Sequence, residues 1–167
     1  MTSPFPQDIV EQARAIIEKA SKQGIVLATA ESCTGGLISA ALTEIAGSSA
    51  AFDRAFITYS NTAKTELLGV PTLKIARNGA VSVEVAEAMA EGAIERSAAS
   101  MVVSVTGIAG PSGGSKEKPV GTVCFGTARQ GRETQSEMKH FDADTREGVR
   151  EATVRYGLSL FLDALDG

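Results

Sequence analysis

The sequence predicts an α/β fold, a three-layer α/β/α sandwich with a mixed, mostly parallel sheet and one C-terminal hairpin. Short apolar runs alternate with segments of helical periodicity through most of the chain, which is typical of parallel strands joined by helices. Two strand-like segments then flank Gln130 and Gly131, which indicates a hairpin and at least one antiparallel strand. The 167 residues, 43% of them apolar, suit one hydrophobic core, so we expect residues 1–167 to form a single domain.

Each element follows from a local pattern. Predicted helices carry apolar residues at intervals of three and four and end near a glycine such as Gly24, whereas predicted strands are short apolar runs. The predicted helix caps are Asn61 and Ser82, and Asp142 or Asp144 lies near the cap of the last helix. In chain order, these patterns predict helices over 7–24, 34–46, 61–70, 82–98 and 142–165, strands over 25–30, 54–60 and 100–107, and the hairpin over 120–141.

Composition excludes several classes of protein. A net charge of −4 argues against binding to nucleic acid, which needs a basic face. Two distant cysteines, Cys33 and Cys124, and the single histidine, His140, do not make a disulfide framework and are poor material for a zinc site. We also expect no cofactor. No apolar run reaches the roughly 18 residues of a membrane span, and the N-terminus lacks a signal pattern. We therefore expect a cytoplasmic protein without a membrane partner.

Three polar turns follow the three strands that we expect to be parallel. They read ESCTGG at 31–36, YSNTAK at 59–64 and TGIAGPSGGSKEKP at 106–119. Ligands of such sheets bind at the carboxyl ends of the strands, so the three turns should meet at one edge and form the site there. Because His140 lies in a polar segment typical of a solvated strand, a nucleophile at this edge needs a base other than histidine.

The first turn offers a nucleophile next to free amides. Ser32 or Cys33 stands where a strand gives way to a helix, and the free N–H groups of a helix start can stabilise an oxyanion or a phosphate. Gly35 and Gly36 permit a close approach of substrate to the backbone. The structural alternative is that Ser32 or Thr34 only caps the helix while the glycines pack against the sheet.

The second turn offers a base. With Asn61 as the helix cap, Lys64 falls at the third helical position, where the helix dipole disfavours a positive charge. Burial would lower the pKa of this amine further and make it a candidate base, with Tyr59 close by at the strand end. The alternative is an exposed surface lysine.

The third turn is a glycine-rich loop. It lacks the Gly-Lys-Ser/Thr run of a P-loop, but its amides and hydroxyls can surround a phosphate or a ribose. Its length without predicted structure favours a function over the alternative of a flexible connection. The candidate donors in this loop are Thr106, Gly107, Ser112 and Gly113.

These turns, together with residues 46–58 and the GAVS segment at 79–82, resemble the C-terminal domain of the competence/damage-inducible CinA proteins. The resemblance covers the chain from the first strand to the hairpin. It implies an α/β/α sandwich with a mixed sheet and a metal-free amidohydrolase that converts nicotinamide mononucleotide to nicotinate mononucleotide and ammonia in pyridine nucleotide salvage. It also implies a serine nucleophile helped by a lysine and a tyrosine, which are Ser32, Lys64 and Tyr59 in this sequence.

The remaining predicted roles follow from what amide hydrolysis needs. The amides of Cys33, Thr34 and Gly35 are candidates to hold the oxyanion, and Glu31 is expected to orient Ser32 or to contact the substrate. The Cys33 thiol stays an alternative nucleophile, because a thiolate at a helix start is reactive, although the resemblance favours Ser32. The predicted substrate-binding residues are Glu31, Gly36, Asn61, Thr106, Gly107, Ser112 and Gly113.

Two rival functions remain at this point. One is a nucleotide-binding or regulatory module without catalysis, which would not require the combination of Ser32, Tyr59 and Lys64. The other is a competence or damage protein that acts on DNA, which the acidic charge disfavours. The expected partners are a small-molecule nucleotide and further copies of the chain in a homo-oligomer, because a neighbouring subunit often completes a site at a sheet edge.

Overall fold

The computed structural model describes residues 2–167 and builds them around one five-stranded sheet. The helices and strands alternate as the sequence predicts until the two strands of the hairpin. In chain order the elements are α1 (Gln7–Gln23), β1 (Leu27–Glu31), α2 (Leu37–Thr43), β2 (Phe52–Ile57), α3 (Asn61–Leu68), α4 (Thr72–Asn78), α5 (Val83–Glu95), β3 (Met101–Gly107), β4 (Thr122–Arg129), β5 (Gln135–His140) and α6 (Arg146–Asp166).

The sheet has the strand order β2-β1-β3-β4-β5 and is mixed. β1 pairs in parallel with both β2 and β3, whereas β4 is antiparallel to β3 and to β5. The predicted mixed sheet and C-terminal hairpin are therefore confirmed, and only β4 runs against the other strands. β1, β2 and β3 end at the same edge of the sheet, which brings the three polar turns together.

Helices cover both faces of the sheet, which confirms the three-layer sandwich. One apolar core lies under α1, α2 and α6 and contains Ile16, Leu42 and Phe161. The other lies under α5 with α3 and α4 and contains Met89 and Leu68. Because both faces are covered, every side chain of β1 is buried, and so is every side chain of β3 before its last residue.

The helix boundaries differ from prediction where side chains compete for the caps. Ser60 caps α3, since its hydroxyl accepts from the amide of Ala63 at 3.0 Å, so Asn61 is the first helical residue and Lys64 the fourth. Thr145 caps α6 in the same way, directly after Asp144, which the sequence placed near this cap. Ser82 caps α5 as predicted.

Two further differences concern helix length and number. α2 begins at Leu37 rather than at residue 34, because residues 32–36 form a turn in which Gly35 and Gly36 have positive φ angles of 57° and 102°. The short helix α4 was not predicted, since it directly follows Pro71 and carries only one buried apolar residue, Ile75. Within residues 2–167, no helix has the length and apolar character needed to cross a membrane.

Candidate active site

The three turns enclose a cavity of about 170 Å³ at the carboxyl edge of the parallel strands. Of the predicted site residues, its walls include Ser32, Cys33, Tyr59, Asn61, Lys64, Thr106 and Gly107. A larger groove of about 470 Å³ lies between α3 and α4 and shares only Asn61 with this cavity. The larger groove lacks a buried nucleophile and a buried base, so we place the candidate chemistry in the smaller cavity.

Ser32 and Lys64 form the reactive pair of the cavity. Lys64 Nζ lies 2.9 Å from Ser32 Oγ, although 32 residues separate the two along the chain. The lysine side chain is only 1% exposed and Ser32 only 7% exposed. Burial lowers the pKa of Lys64, because the interior of the protein solvates an ammonium ion poorly. A neutral amine next to the serine hydroxyl is the arrangement that a base needs.

Two main-chain carbonyls orient the amine. Lys64 Nζ donates to the carbonyl oxygen of Thr58 at 2.9 Å and approaches that of Tyr59 at 3.5 Å. In its neutral form the amine has two N–H groups that these carbonyls can accept and one lone pair that can take the hydroxyl proton of Ser32. Among residues 2–167, Lys64 has no carboxylate partner that would favour its charged form. Its place in the first turn of α3 also disfavours a positive charge.

The Glu31 carboxylate holds the first turn against the start of α2. Its carboxylate is fully buried and accepts from the hydroxyls of Thr29 and Thr34 at 2.9 and 2.7 Å. It also accepts from the amides of Ile38 and Ser39, each at 2.9 Å, and so caps α2. Neither Ser32 nor Thr34 caps this helix, because the N-cap position belongs to Gly36. Glu31 does not border the cavity, so the structure does not bring it together there with the other predicted substrate-binding residues.

The amides of the first turn are not equally free. The amide of Gly35 donates to the carbonyl of Ser32 at 3.0 Å, so it is no longer a candidate to hold an oxyanion. The amides of Cys33 and Thr34 have no hydrogen-bond acceptor within residues 2–167. Cys33 borders the cavity, whereas Thr34 is fully buried behind it, so the Cys33 amide is the better placed donor. The residue after the nucleophile supplies such a donor in other hydrolases that have a strand-turn-helix nucleophile.

Cys33 itself is a poor nucleophile in this structure. Burial raises the pKa of its thiol to about 12, and the carboxylate of Glu31 adds to the effect. A protonated thiol is unreactive at neutral pH, and only the thiolate attacks carbonyl groups. The structure therefore favours Ser32 over the alternative that the sequence left open.

Tyr59 lies at the rim of the cavity rather than between Ser32 and Lys64. Its side chain is 61% exposed, and its hydroxyl accepts from a guanidinium N–H of Arg146 at 2.9 Å. Arg146 also donates to the carbonyl of Gly110 at 2.7 Å. The amine of Lys64 contacts the serine hydroxyl directly, so a proton can pass between them without Tyr59.

The third turn contributes only its first residues to the cavity. Thr106 is buried and donates its hydroxyl to the carbonyl of Ala80 at 2.9 Å. A Cβ at Gly107 would lie 2.8 Å from Val123 and 3.1 Å from Cys33, so this wall needs a glycine. Ser112 and Gly113 are exposed, and the structure does not bring them into the cavity with the other predicted residues.

Two arginines of α6 were missed in the sequence. Arg146 borders the cavity, and Arg150 donates to the carbonyls of Cys33 and Thr34, each at 3.1 Å. Their separation of four residues places both on one face of the helix, and this spacing was the signal that could have found them. Within residues 2–167, no three His, Cys, Asp or Glu side chains are grouped as metal ligands.

The chain is similar to known proteins along most of its length. Residues 10–165 match the model of the CinA C-terminal domain family. A nicotinamide-nucleotide amidohydrolase PncC of Enterobacter agglomerans is 53% identical over 80% of each chain. A putative competence-damage inducible protein of Symbiobacterium thermophilum is 49% identical over 84% of this chain, and a CinA-like protein of Akkermansia muciniphila is 47% identical over 93%. These matches span only 34% and 39% of the lengths of those two proteins.

Solved structures show the same fold. The competence/damage inducible protein CihA of Agrobacterium tumefaciens superposes with a TM-score of 0.96 at 50% identity and covers 99% of this chain and 100% of its own. The competence damage-inducible protein ComA of Klebsiella pneumoniae superposes with a TM-score of 0.90 at 34% identity, covering 95% of this chain and 97% of its own. Sequence and fold agree, and the chain belongs to the CinA C-terminal domain family.

Proposed function

We propose that this protein is a serine amidohydrolase that converts nicotinamide mononucleotide to nicotinate mononucleotide and ammonia, a salvage step for pyridine nucleotides. The observation that carries the proposal is the 2.9 Å contact between Ser32 Oγ and the buried, charge-disfavoured amine of Lys64. The PncC relative, a nicotinamide-nucleotide amidohydrolase that matches over 80% of both chains, supports this choice of substrate.

The first half of the reaction forms an ester. Ser32 Oγ attacks the carboxamide carbon while its proton passes to Lys64 Nζ. The negative charge that develops on the carboxamide oxygen is stabilised by the amide of Cys33, with that of Thr34 behind it. Lys64, now an ammonium, donates the proton to the departing nitrogen, which leaves as ammonia. The product of this half is a nicotinoyl ester on Ser32 and a neutral Lys64.

The second half repeats the same proton path with water. Lys64 takes a proton from a water molecule as its oxygen attacks the ester carbon. The same amides stabilise the second oxyanion. Lys64 then returns the proton to Ser32 Oγ, and nicotinate mononucleotide leaves. One amine thus acts as base and acid in turn, and the mechanism does not need Tyr59 as a relay.

Substrate size and charge point to Arg146 as the ligand of the phosphate. A cavity of about 170 Å³ is smaller than the roughly 300 Å³ or more typical of whole-ligand sites, so it suits the pyridine ring and its carboxamide. The ribose and the phosphate would then lie towards the rim, where Arg146 is exposed. A guanidinium there can form charge-assisted hydrogen bonds with a phosphate.

Ammonia release from three substrates tests the proposal. We expect nicotinamide mononucleotide to react best, followed by its riboside and then free nicotinamide. Arg146→Met should lower kcat/KM about 10- to 100-fold for the mononucleotide but little for the riboside, because only the phosphate loses its partner. If none of the three substrates released ammonia, the proposed amidohydrolase activity would be refuted. Calorimetric binding of the mononucleotide would then favour a non-catalytic nucleotide-binding module.

A further inference from the structure

Arg150 uses its guanidinium in an unusual way for a half-buried arginine beside acidic neighbours. Nε and Nη2 donate to two consecutive main-chain carbonyls, those of Cys33 and Thr34, each at 3.1 Å. Although Glu147 and Glu151 flank it on α6, Arg150 forms no ion pair with a carboxylate of residues 2–167. Arg155, farther along the same helix, pairs with Asp8 and Glu151 instead. The guanidinium of Arg150 therefore serves the turn that carries the nucleophile.

The contacts reach the cavity through two peptide groups. The peptides of this turn are trans, so the C=O and the N–H of each group point in opposite directions. The carbonyl of Thr34, held by Arg150, belongs to the same peptide as the amide of Gly35, which donates to the carbonyl of Ser32. The carbonyl of Ser32 in turn shares its peptide with the amide of Cys33. A continuous chain of hydrogen bonds thus runs from the guanidinium to the amide of Cys33, a residue that lines the cavity.

The contact between Arg150 Nε and the carbonyl of Cys33 holds the peptide on the C-terminal side of Cys33. Nε of Arg150 donates to the carbonyl of Cys33, so both peptides that flank the Cα atom of Cys33 are held, one directly and one through the chain. A hydrogen bond to a carbonyl also polarises the N–H of the same peptide, by roughly 10–30% per bond. The positive charge of Arg150 therefore strengthens the amide as a donor as well as orienting it.

We propose that Arg150 is a positioning residue for oxyanion stabilisation, which orients and polarises the Cys33 amide through the main chain. The inference rests on the proposed function, in which that amide holds the oxyanion formed from the carboxamide. Arg150 does not border the cavity and does not touch the substrate. Its contribution should therefore appear in the transition state, where the oxyanion forms, and not in substrate binding.

Two substitutions and one control test the proposal by the rates of ammonia release. Arg150→Met should lower kcat about 10- to 100-fold, less than the loss of an oxyanion donor itself, while KM stays within about twofold. Arg150→Lys should recover part of that loss, because an ammonium keeps the charge but lacks the planar fork that spans two carbonyls. Arg155→Met removes surface ion pairs of the same helix and should leave kcat unchanged.

A second readout does not depend on the natural substrate. A small fluorophosphonate forms a bond between Ser32 Oγ and phosphorus, with loss of fluoride and transfer of the hydroxyl proton to Lys64, and it also places charge on an oxygen near the Cys33 amide. The labelling rate, followed by mass spectrometry, should fall in Arg150→Met by a factor similar to that of kcat. The midpoint of its pH dependence should not change, because Lys64 remains in place.

The outcomes separate this inference from the proposed function. If the wild type labels at Ser32 but releases no ammonia, the proposed substrate is wrong and the labelling rates still decide the role of Arg150. Three results would overturn the inference. Arg150→Met could react at the wild-type rate, it could change only the melting temperature, or Arg155→Met could lose as much kcat as Arg150→Met. If Arg150→Met does not fold, a wild-type rate in Arg150→Lys would do the same. A wild type with neither labelling nor ammonia release would refute both.

Discussion

Two glycine-rich turns lie at the same edge of the sheet, but they differ in burial and in the contacts that hold them. Residues 32–36 are mostly buried and are held by hydrogen bonds: the Glu31 carboxylate accepts from the Thr34 hydroxyl, and Arg150 donates to the carbonyl of Cys33. Residues 108–121 are mostly exposed and are held near their ends, where Arg146 donates to the carbonyl of Gly110 at 2.7 Å and Lys118 donates to the carbonyl of Asn78 at 2.9 Å. The two turns are both rich in glycine, so their composition does not indicate which one carries the reaction. Their burial does indicate it, because only a buried turn can hold a desolvated amine and an oriented amide beside the nucleophile.

The largest expected effect is the loss of the nucleophile in the buried turn. Ser32→Ala should lower kcat by roughly 10⁴-fold or more, since removing a nucleophile abolishes the covalent route. Cys33→Ala is the matched control, because it changes the adjacent residue and keeps the main-chain amide. It should retain most of the activity in an ammonia-release assay. The reverse pattern would assign the nucleophile to Cys33.

The next effect concerns the carboxylate that holds the same turn. Glu31→Ala leaves two amides and two hydroxyls without their acceptor in the interior, so the free energy of unfolding should fall by about 2–4 kcal/mol. Glu31→Gln keeps one acceptor oxygen and should lose less. Urea unfolding measures both variants. A Glu31→Ala protein as stable as the wild type would show that the turn does not depend on this cap.

A smaller effect is the pH dependence of stability that the buried amine causes. The folded-state pKa of Lys64 lies below its ordinary value of 10.5, so between these two values the unfolded chain binds more protons than the folded one. Stability therefore rises with pH across that window and is lost as the pH falls through it. Relative to Lys64→Met, the wild type should gain melting temperature as the pH approaches 10.5. Parallel curves for the two proteins would contradict the burial of a titrating amine.

The smallest effect is expected in the exposed loop. Ser112→Ala should leave the free energy of unfolding within about 0.5 kcal/mol of the wild type and should not change kcat, because Ser112 lies outside the cavity. The assay is KM for nicotinamide mononucleotide. A clear rise in KM would restore the sequence-based expectation that Ser112 binds the phosphate, and would show that the loop closes on the substrate.

The sequence was sufficient for features that local patterns determine. The order of strands and helices, the common edge of the three turns and the pairing of Ser32 with Lys64 were within its reach, partly through the family resemblance. Lys64 stood out because a lysine in the first turn of a helix is unfavourable. Local competition also explains the error at the cap of α3, where Ser60 takes the position that was predicted for Asn61.

The rest of the site depends on contacts between distant parts of the chain. The contact of Arg146 with Tyr59 spans 87 residues, and that of Arg150 with Thr34 spans 116. No periodicity or motif encodes such pairs, because they depend on how α6 packs across the sheet. The sequence places Glu31 beside Ser32, which suggested that it orients the serine or contacts the substrate. It does not show that the Glu31 side chain is fully buried.

The protonation state of Lys64 tests the central claim most directly. Lysines labelled with ¹³C at Cε and ¹⁵N at Nζ can be titrated by NMR, and the Lys64 signal is identified by its absence in Lys64→Met. We predict that this signal titrates at a lower pH than an exposed lysine would, because burial disfavours the ammonium. If Lys64 titrated together with the surface lysines, it would be protonated at neutral pH, and a Ser32–Lys64 pair could not act as nucleophile and base.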